Sequence, residues 1–291
     1  MRIIVHQHDI ATFQECRKRF DLSFNQHIFP RIQKKFIEVG SLFSKSVYYL
    51  HKGTPIENCL AYIEQKAEEL KLSAVNQERI NEIEEDKVTV VAMLNGYNEK
   101  FMSQNVEIIP EYNIKVPIKR KYIYSMTLDG RIKTYQKDNW ILEIKTTASI
   151  EKDQITRLPC DFQIKSYAWG LQKWAHKPVK GVLYRFIRKP SIKQKQTETI
   201  DQYLKRLMLD YINRKDFYFY EEMPLLDQNI ISDFDNEIYQ MFDDLNACYK
   251  TNNWYKSPLC GKTRYGICPY FQYCSNPTEE TLETFYERRT E

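Results

Sequence analysis

Apolar and polar positions along the first hundred residues alternate with a helical period. Ile10, Phe13, Cys16, Phe20 and Phe24 recur at roughly that spacing, with Arg17, Lys18 and Arg19 interleaved, which predicts a helix over 8–27. A second amphipathic helix is expected over 37–51, closed by Gly53 and Pro55. From 56 to about 104 the pattern stays helical and heavily charged, reading as two more helices with a solvated face. The period changes at Pro110. Residues 111–118 put Ile114, Val116 and Ile118 on one side of a strand, and 122–128 form another. Residues 128–146 read as a β-hairpin: Leu128, Ile132 and Tyr135 on the first arm, a turn at 137–139, and a second arm from Trp140 to Thr146. A helix over 161–175 with Asp161 near its start follows, then a strand over 180–187, a basic connector over 188–195, and long helices over 198–215 and 227–250. Strands, a crossover helix and a further strand, wrapped by helices at both ends, predict an α/β fold with a mixed central sheet.

Length and composition narrow the class. A chain of 291 residues can form one large domain, or a core plus a subdomain. A formal net charge of +4 permits a nucleic-acid partner without demanding one. The aromatic content of 14%, with 21 Tyr against 8 Gly, argues against disorder. The first residues contain no apolar run of signal-peptide length, and no stretch approaches the ~20 apolar residues of a membrane span. A cytoplasmic protein is therefore expected, in which clustered cysteines hold metal more often than they form disulfides.

The hairpin carries the candidate chemistry. Glu143 and Lys145, two apart on one strand, point the same way, and antiparallel pairing brings Asp129 of the first arm back towards Glu143. Two carboxylates and an ammonium at one spot suit phosphodiester hydrolysis. Mg²⁺ or Mn²⁺ takes hard oxygen ligands, and Mg²⁺ keeps several positions for water and phosphate. Lys145 would orient the attacking water or touch the phosphate. The alternative is a surface ion pair on a solvated hairpin.

A second constellation lies near the C-terminus, where Cys260, Cys268 and Cys274 crowd a loop rich in Gly, Pro and aromatic residues. Their gaps exceed those of zinc knuckles. Cys16, among Arg, Lys and Phe, is the best fourth ligand for an iron–sulfur cluster or zinc. Such a site would tie the two ends of the chain together, a closure worth on the order of 5 kcal/mol. Cys59, Cys160 and Cys248 are isolated and expected to be buried.

Taken in order, these features resemble the PD-(D/E)XK nucleases of the RecB-like, AddB-like iron–sulfur branch, similar to the CRISPR-associated single-strand exonucleases. The matching pieces are Cys16-Arg-Lys-Arg-Phe20, Leu-Asp129-Gly-Arg-Ile leading to Leu-Glu143-Ile-Lys145, Gln163-x-x-x-Tyr167, and the cysteine trio, spanning 10–274. The resemblance implies a restriction-endonuclease-like core, wrapped by N- and C-terminal helices and closed by an iron–sulfur subdomain. Within one nuclease domain of 1–291 it implies a helical part at 1–105, the PD-(D/E)XK core at 106–197, and C-terminal helices with the cysteine loop at 198–291. It also implies Mg²⁺ or Mn²⁺ on Asp129, Glu143 and the carbonyl of Ile144, with Gln163 and Tyr167 facing the site to hold the DNA strand. A 4Fe-4S cluster on Cys16, Cys260, Cys268 and Cys274 completes the picture, zinc being the alternative.

One position departs from this pattern. Where the family has a metal-binding histidine four residues after a glycine, this chain has Ser44 after Gly40; His51 lies about two turns on, on the order of 10 Å away. Glu111 is a possible substitute oxygen. Basic groups at Arg17–Arg19, Lys34–Lys35, Lys119–Lys121, Arg185, Arg188–Lys189 and Lys193–Lys195, with Tyr122, Tyr124, Tyr184 and Phe186 among them, suggest single-strand DNA contact. The expected function is therefore a metal-dependent DNA exonuclease acting on single-stranded ends, 5′→3′ by analogy, in recombination, repair or end processing. A helicase or recombination protein would be its associate. The rivals are a DNA-binding iron–sulfur subunit with a decayed site and a restriction-type endonuclease.

Overall fold

In the computed structural model, residues 2–31, 36–74, 76–104, 106–133, 139–263 and 266–289 are described, the side chains of 36–38 and 133 excepted. Lys34, Lys35 and most of the expected hairpin turn lie outside them. The N-terminal part runs β1 (Ile3–His6), α1 (Gln7–Glu15), α2 (Arg17–Phe20), a π-helical turn (Asp21–Asn25), β2 (Ile28–Pro30), α3 (Phe36–His51), α4 (Ile56–Leu72) and α5 (Gln77–Phe101). The middle runs β3 (Ile108–Ile118), β4 (Tyr122–Lys133), β5 (Asn139–Thr147), α6 (Lys152–Thr156), α7 (Phe162–Ala175) and β6 (Val179–Arg188). Then come α8 (Ile200–Asn213), α9 (Lys215–Tyr218), β7 (Phe219–Glu222), α10 (Gln228–Thr251), the short strands β8 (Lys262–Thr263) and β9 (Gly266–Ile267), α11 (Phe271–Ser275), α12 (Glu279–Phe285) and β10 (Tyr286–Arg288).

The chain divides into two compact units. Met1–Lys34, Ile114–Met126 and Asn229–Glu291 form the first; Lys35–Asn113 and Thr127–Gln228 form the second. The second unit holds the greater part of a mixed sheet: β4 pairs β5 antiparallel, β5 pairs β6 parallel, and β6 pairs β7 antiparallel. The parallel pair needs a crossover, which α7 supplies. Asp161 caps that helix by accepting from the Gln163 and Ile164 amides at 2.8 and 3.3 Å, and His176 in the left-handed region (φ 51°) ends it. Val39, Phe43 and Val47 of α3, Val90, Leu94 and Tyr97 of α5, and Leu207 and Tyr211 of α8 pack with Leu142, Ile144, Leu183 and Ile187 of the sheet into one core cluster. Gly181 permits a close approach there, because a Cβ at that position would come 2.4 Å from the Trp140 ring.

In the first unit β1 runs parallel to the start of β4, from Ile3 beside Tyr122 to His6 beside Ser125. The buried positions of α10, Ile231, Phe234, Ile238, Phe242, Leu245 and Cys248, recur at helical spacing. Phe242 meets Tyr122 and Tyr124 at centroid distances of 5.2 and 5.6 Å. Strand β10 pairs antiparallel with β2, so the C-terminal segment is stitched to the N-terminal one.

Three expectations need correction. The helix over 8–27 is broken at Cys16, whose extended backbone (φ −163°, ψ 114°) separates α1 from α2. Cys59 and Cys248 are buried, but Cys160 is exposed. Tyr122, Tyr124, Tyr184 and Phe186 are all buried, so their faces are filled by protein neighbours and are closed to nucleic-acid bases.

Candidate active site and cysteine pocket

The β4–β5 ladder brings the carboxylates together. Gly130 pairs with Leu142, and one residue beyond that pair stand Asp129 and Glu143. Asp129 Oδ2 accepts the Ile144 amide at 2.8 Å, tying the first strand to the second through a side chain. Glu143 is 1% exposed; its Oε1 lies 2.5 Å from Lys145 Nζ, while its Oε2 is buried with no hydrogen-bond partner. Such an orphaned charged oxygen is costly unless something neutralises it. Lys145 Nζ also donates to Gln163 Oε1 at 2.6 Å, and Gln163 Nε2 donates to the Tyr167 hydroxyl at 2.8 Å. Residues on one strand and one helix thus form a single chain of contacts, Glu143–Lys145–Gln163–Tyr167.

The electrostatics follow from this crowding. Burial raises the Asp129 pKa, with the Ile144 amide and Lys145 opposing the rise. Burial also lifts Glu143 well above the usual carboxylate range; Lys145 opposes and Asp129 adds to the shift. Burial disfavours the Lys145 ammonium, but Glu143, Asp129 and Asp161 outweigh it and its pKa rises. One cation therefore serves two carboxylates, Glu143 buried and Asp129 half-buried.

The remaining sequence candidates are placed differently. Ser44 is exposed. His51 Nε2 is 2.8 Å from the Tyr97 hydroxyl, and burial together with nearby Arg185 lowers its pKa to about 4. Glu111 is exposed and ion-paired with Lys45 at 3.3 Å. Many of the basic groups have partners: Arg17 with Asp244, Lys18 with Asp21, Arg19 with Glu15, and Lys119 with Asp243. Arg185 is fully buried, donating to Glu221, Tyr97 and Gln104. Sequence reasoning missed this guanidinium network, and the strand pattern around Arg185 gave no sign of it.

All seven cysteines are free of disulfides, and Cys16, Cys260, Cys268 and Cys274 line one small pocket of about 30 Å³, partly open to solvent, in the first unit. The break at Cys16 turns its sulfur to receive the Ser257 amide at 3.4 Å. Burial raises the Cys268 and Cys274 thiols, Cys274 to about 11, and the neighbouring sulfurs push both higher. Among the described residues, no three His, Cys, Asp or Glu side chains stand at the spacing of a single-ion site.

No protein-family profile and no curated protein matches the chain. Among solved structures it is similar to a candidate exonuclease from Eubacterium rectale, at 12% identity over 87% of this chain and 90% of that one, with a TM-score of 0.48. It is also similar to a phage-related exonuclease from Haemophilus somnus, at 12% identity over 65% of this chain and 82% of that one, with a TM-score of 0.33.

Proposed function

We propose that this chain is a Mg²⁺- or Mn²⁺-dependent deoxyribonuclease of the PD-(D/E)XK type that degrades DNA from its ends. The observation carrying this reading is the bare, buried Oε2 of Glu143 beside the half-buried carboxylate of Asp129. Two protein carboxylates match what Mg²⁺ accepts, and a cation there would relieve the cost of burying Glu143. Asp129 and Glu143 would hold it, with the Ile144 carbonyl as a further oxygen by the family resemblance. When bound, the ion would acidify an attacking water and offset charge on the phosphate oxygens.

The chain's own residues do the rest. Lys145 has three donors, two of which are used on Glu143 and Gln163, leaving one for a water or the scissile phosphate. Gln163 has its carbonyl on Lys145 and its amide on Tyr167, so it positions Lys145 and is not itself the group that grips DNA. This refines the role the resemblance implied for the pair. Polarity 5′→3′, preference for single strands, roles in recombination, repair or end processing, and a helicase or recombination partner are proposed by resemblance alone.

The cysteine pocket is proposed to hold a 4Fe-4S cluster. Four thiols around one cavity, one already receiving an amide, is the donor set such clusters use. Pure protein should be brown with broad visible absorption; a colourless protein with stoichiometric zinc would overturn the cluster.

Labelled linear and circular DNA incubated with Mn²⁺ tests the nuclease. Linear DNA should be degraded and circles spared, with Glu143→Ala and Lys145→Ala inactive yet folded. Undiminished activity in both variants would refute the site, and sequence-defined cutting of circles would indicate a restriction-type enzyme. A second reading, a DNA-binding subunit without turnover, draws support from exposed Ser44 at the expected histidine position and from His51 being engaged by Tyr97. It predicts binding without cleavage at any metal concentration.

A further inference from the structure

In the second unit, three side chains form an aromatic and cationic surface that the cleavage chemistry does not use. Trp174, near the end of α7, is 47% exposed, a large ring left in water. Its centroid lies 5.1 Å from that of Tyr112 on β3, the two rings edge to face at 78°. The Arg131 guanidinium carbon sits 5.1 Å from the Trp174 centroid and 5.6 Å from that of Tyr112. Arg131 is fixed there, because its Nε and Nη2 both donate to Asn139 Oδ1, at 3.2 and 2.7 Å, and Asn139 is 1% exposed.

We infer that Trp174, Tyr112 and Arg131 form a stacking platform for an unpaired base of a single DNA strand. This rests on the nuclease reading and deepens it by naming where the strand is held. A ring face gives sequence-tolerant stacking, and an adjacent guanidinium adds cation–π attraction and a phosphate contact. The rings that stood among basic residues in the sequence are buried, whereas Trp174 is open, with exposed His176 and Lys177 just beyond it. The placement suits a strand leaving the site. Gln163 touches Lys145 near the start of α7, and Trp174 is eleven residues further on, ~16 Å along the helix. That span corresponds to about five nucleotides at the ~3.4 Å rise of a stacked strand. Arg131 itself follows Asp129 by two residues on β4.

Binding measured in EDTA separates this platform from a structural clamp. The probes are a fluorescent oligothymidylate of about twelve nucleotides, within the usual single-strand site size, and an abasic strand of equal length. Wild-type protein should prefer the base-bearing strand. Trp174→Ala should weaken that binding on the order of 10-fold and erase the preference, while Trp174→Phe restores most of it. If wild type binds and cuts DNA while Trp174→Ala binds the oligothymidylate equally well, the platform is overturned and the nuclease stands. Equal wild-type affinity for both strands also overturns it, since phosphate alone would then be read. A wild-type protein that neither binds nor cuts DNA removes both readings.

Discussion

The carboxylate site and the cysteine pocket assemble their chemical groups by opposite means. Asp129, Glu143 and Lys145 arrive on paired strands, and the Lys145–Gln163 contact spans only 18 positions. The Cys16–Ser257 contact spans 241. On loop-closure arithmetic the longer contact costs about 2 kcal/mol more to form. The first site is built on a sheet whose reverse face is a closed apolar core, and its ammonium already offsets part of the charge. The second is surrounded by short strands, short helices and turns, and the cations near its thiols, Arg19 and Lys256, are set against neighbouring sulfurs. The lesson is that one region has a sheet and a core to keep its shape, while the other has far less secondary structure to hold it.

The largest expected effect separates activity from folding. Lys145→Ala should lower DNA cleavage on the order of 10³-fold, the scale of losing a positioned donor in a closed site. Its thermal midpoint should stay within a few degrees of wild type. A collapse of stability together with activity would show that the carboxylate site depends on its own charges for its shape, and the contrast with the cysteines would fail.

The next effect runs the other way. Cys274→Ser should empty the pocket of iron and cost ~2–5 kcal/mol of stability, as losing a long-range bridge between chain ends does. Metal analysis and denaturant unfolding of the intact chain check this. Unchanged stability without iron would mean that β2, β10 and the aromatic cluster around Tyr270 and Tyr286 hold the ends unaided.

Legibility in the sequence follows the same division. The hairpin arms, α7 with its Asp161 cap, and β6 were readable because period and cap are local signals. So was the meeting of Asp129 with Glu143, because strand pairing across a short connection leaves little freedom. The break at Cys16 was hidden: apolar residues keep nearly helical spacing through the break and the π turn, and its partners are distant, Tyr255 accepting the Lys18 amide and Ser257 donating to the Cys16 sulfur. Strands β1 and β7, four residues each, owe their existence to β4 and β6 and carry no pattern of their own. The surroundings of the basic residues were hidden for a related reason. A charge looks free in one dimension, yet Arg185 is buried, and Arg17 and Lys119 have acidic partners more than a hundred positions away.

A smaller effect probes the rigid region by pH. The His51 pKa is lowered to about 4, so the folded chain keeps this ring neutral while the unfolded chain protonates it near 6.5. Between those values the unfolded state binds more protons, so stability should fall as pH drops from about 6.5 to 4, by ~1–3 kcal/mol. His51→Gln can still accept the Tyr97 hydroxyl and should flatten that slope. An unaltered slope would assign the acid sensitivity to other groups.

The smallest effect decides what the Gln163–Tyr167 pair is for. Tyr167 is 6% exposed, and its hydroxyl accepts the Gln163 amide. Removing that oxygen with Tyr167→Phe deletes one neutral hydrogen bond, worth ~0.5–1.5 kcal/mol, and leaves the ring in place. If Gln163 positions Lys145, the loss should appear in kcat as a drop of about 2- to 10-fold, with KM for single-stranded DNA unmoved. If Tyr167 instead grips the strand, KM should rise while kcat holds. The two outcomes assign the deepest contact of the carboxylate site either to the reacting groups or to the substrate, and only the first agrees with a region that carries its own order.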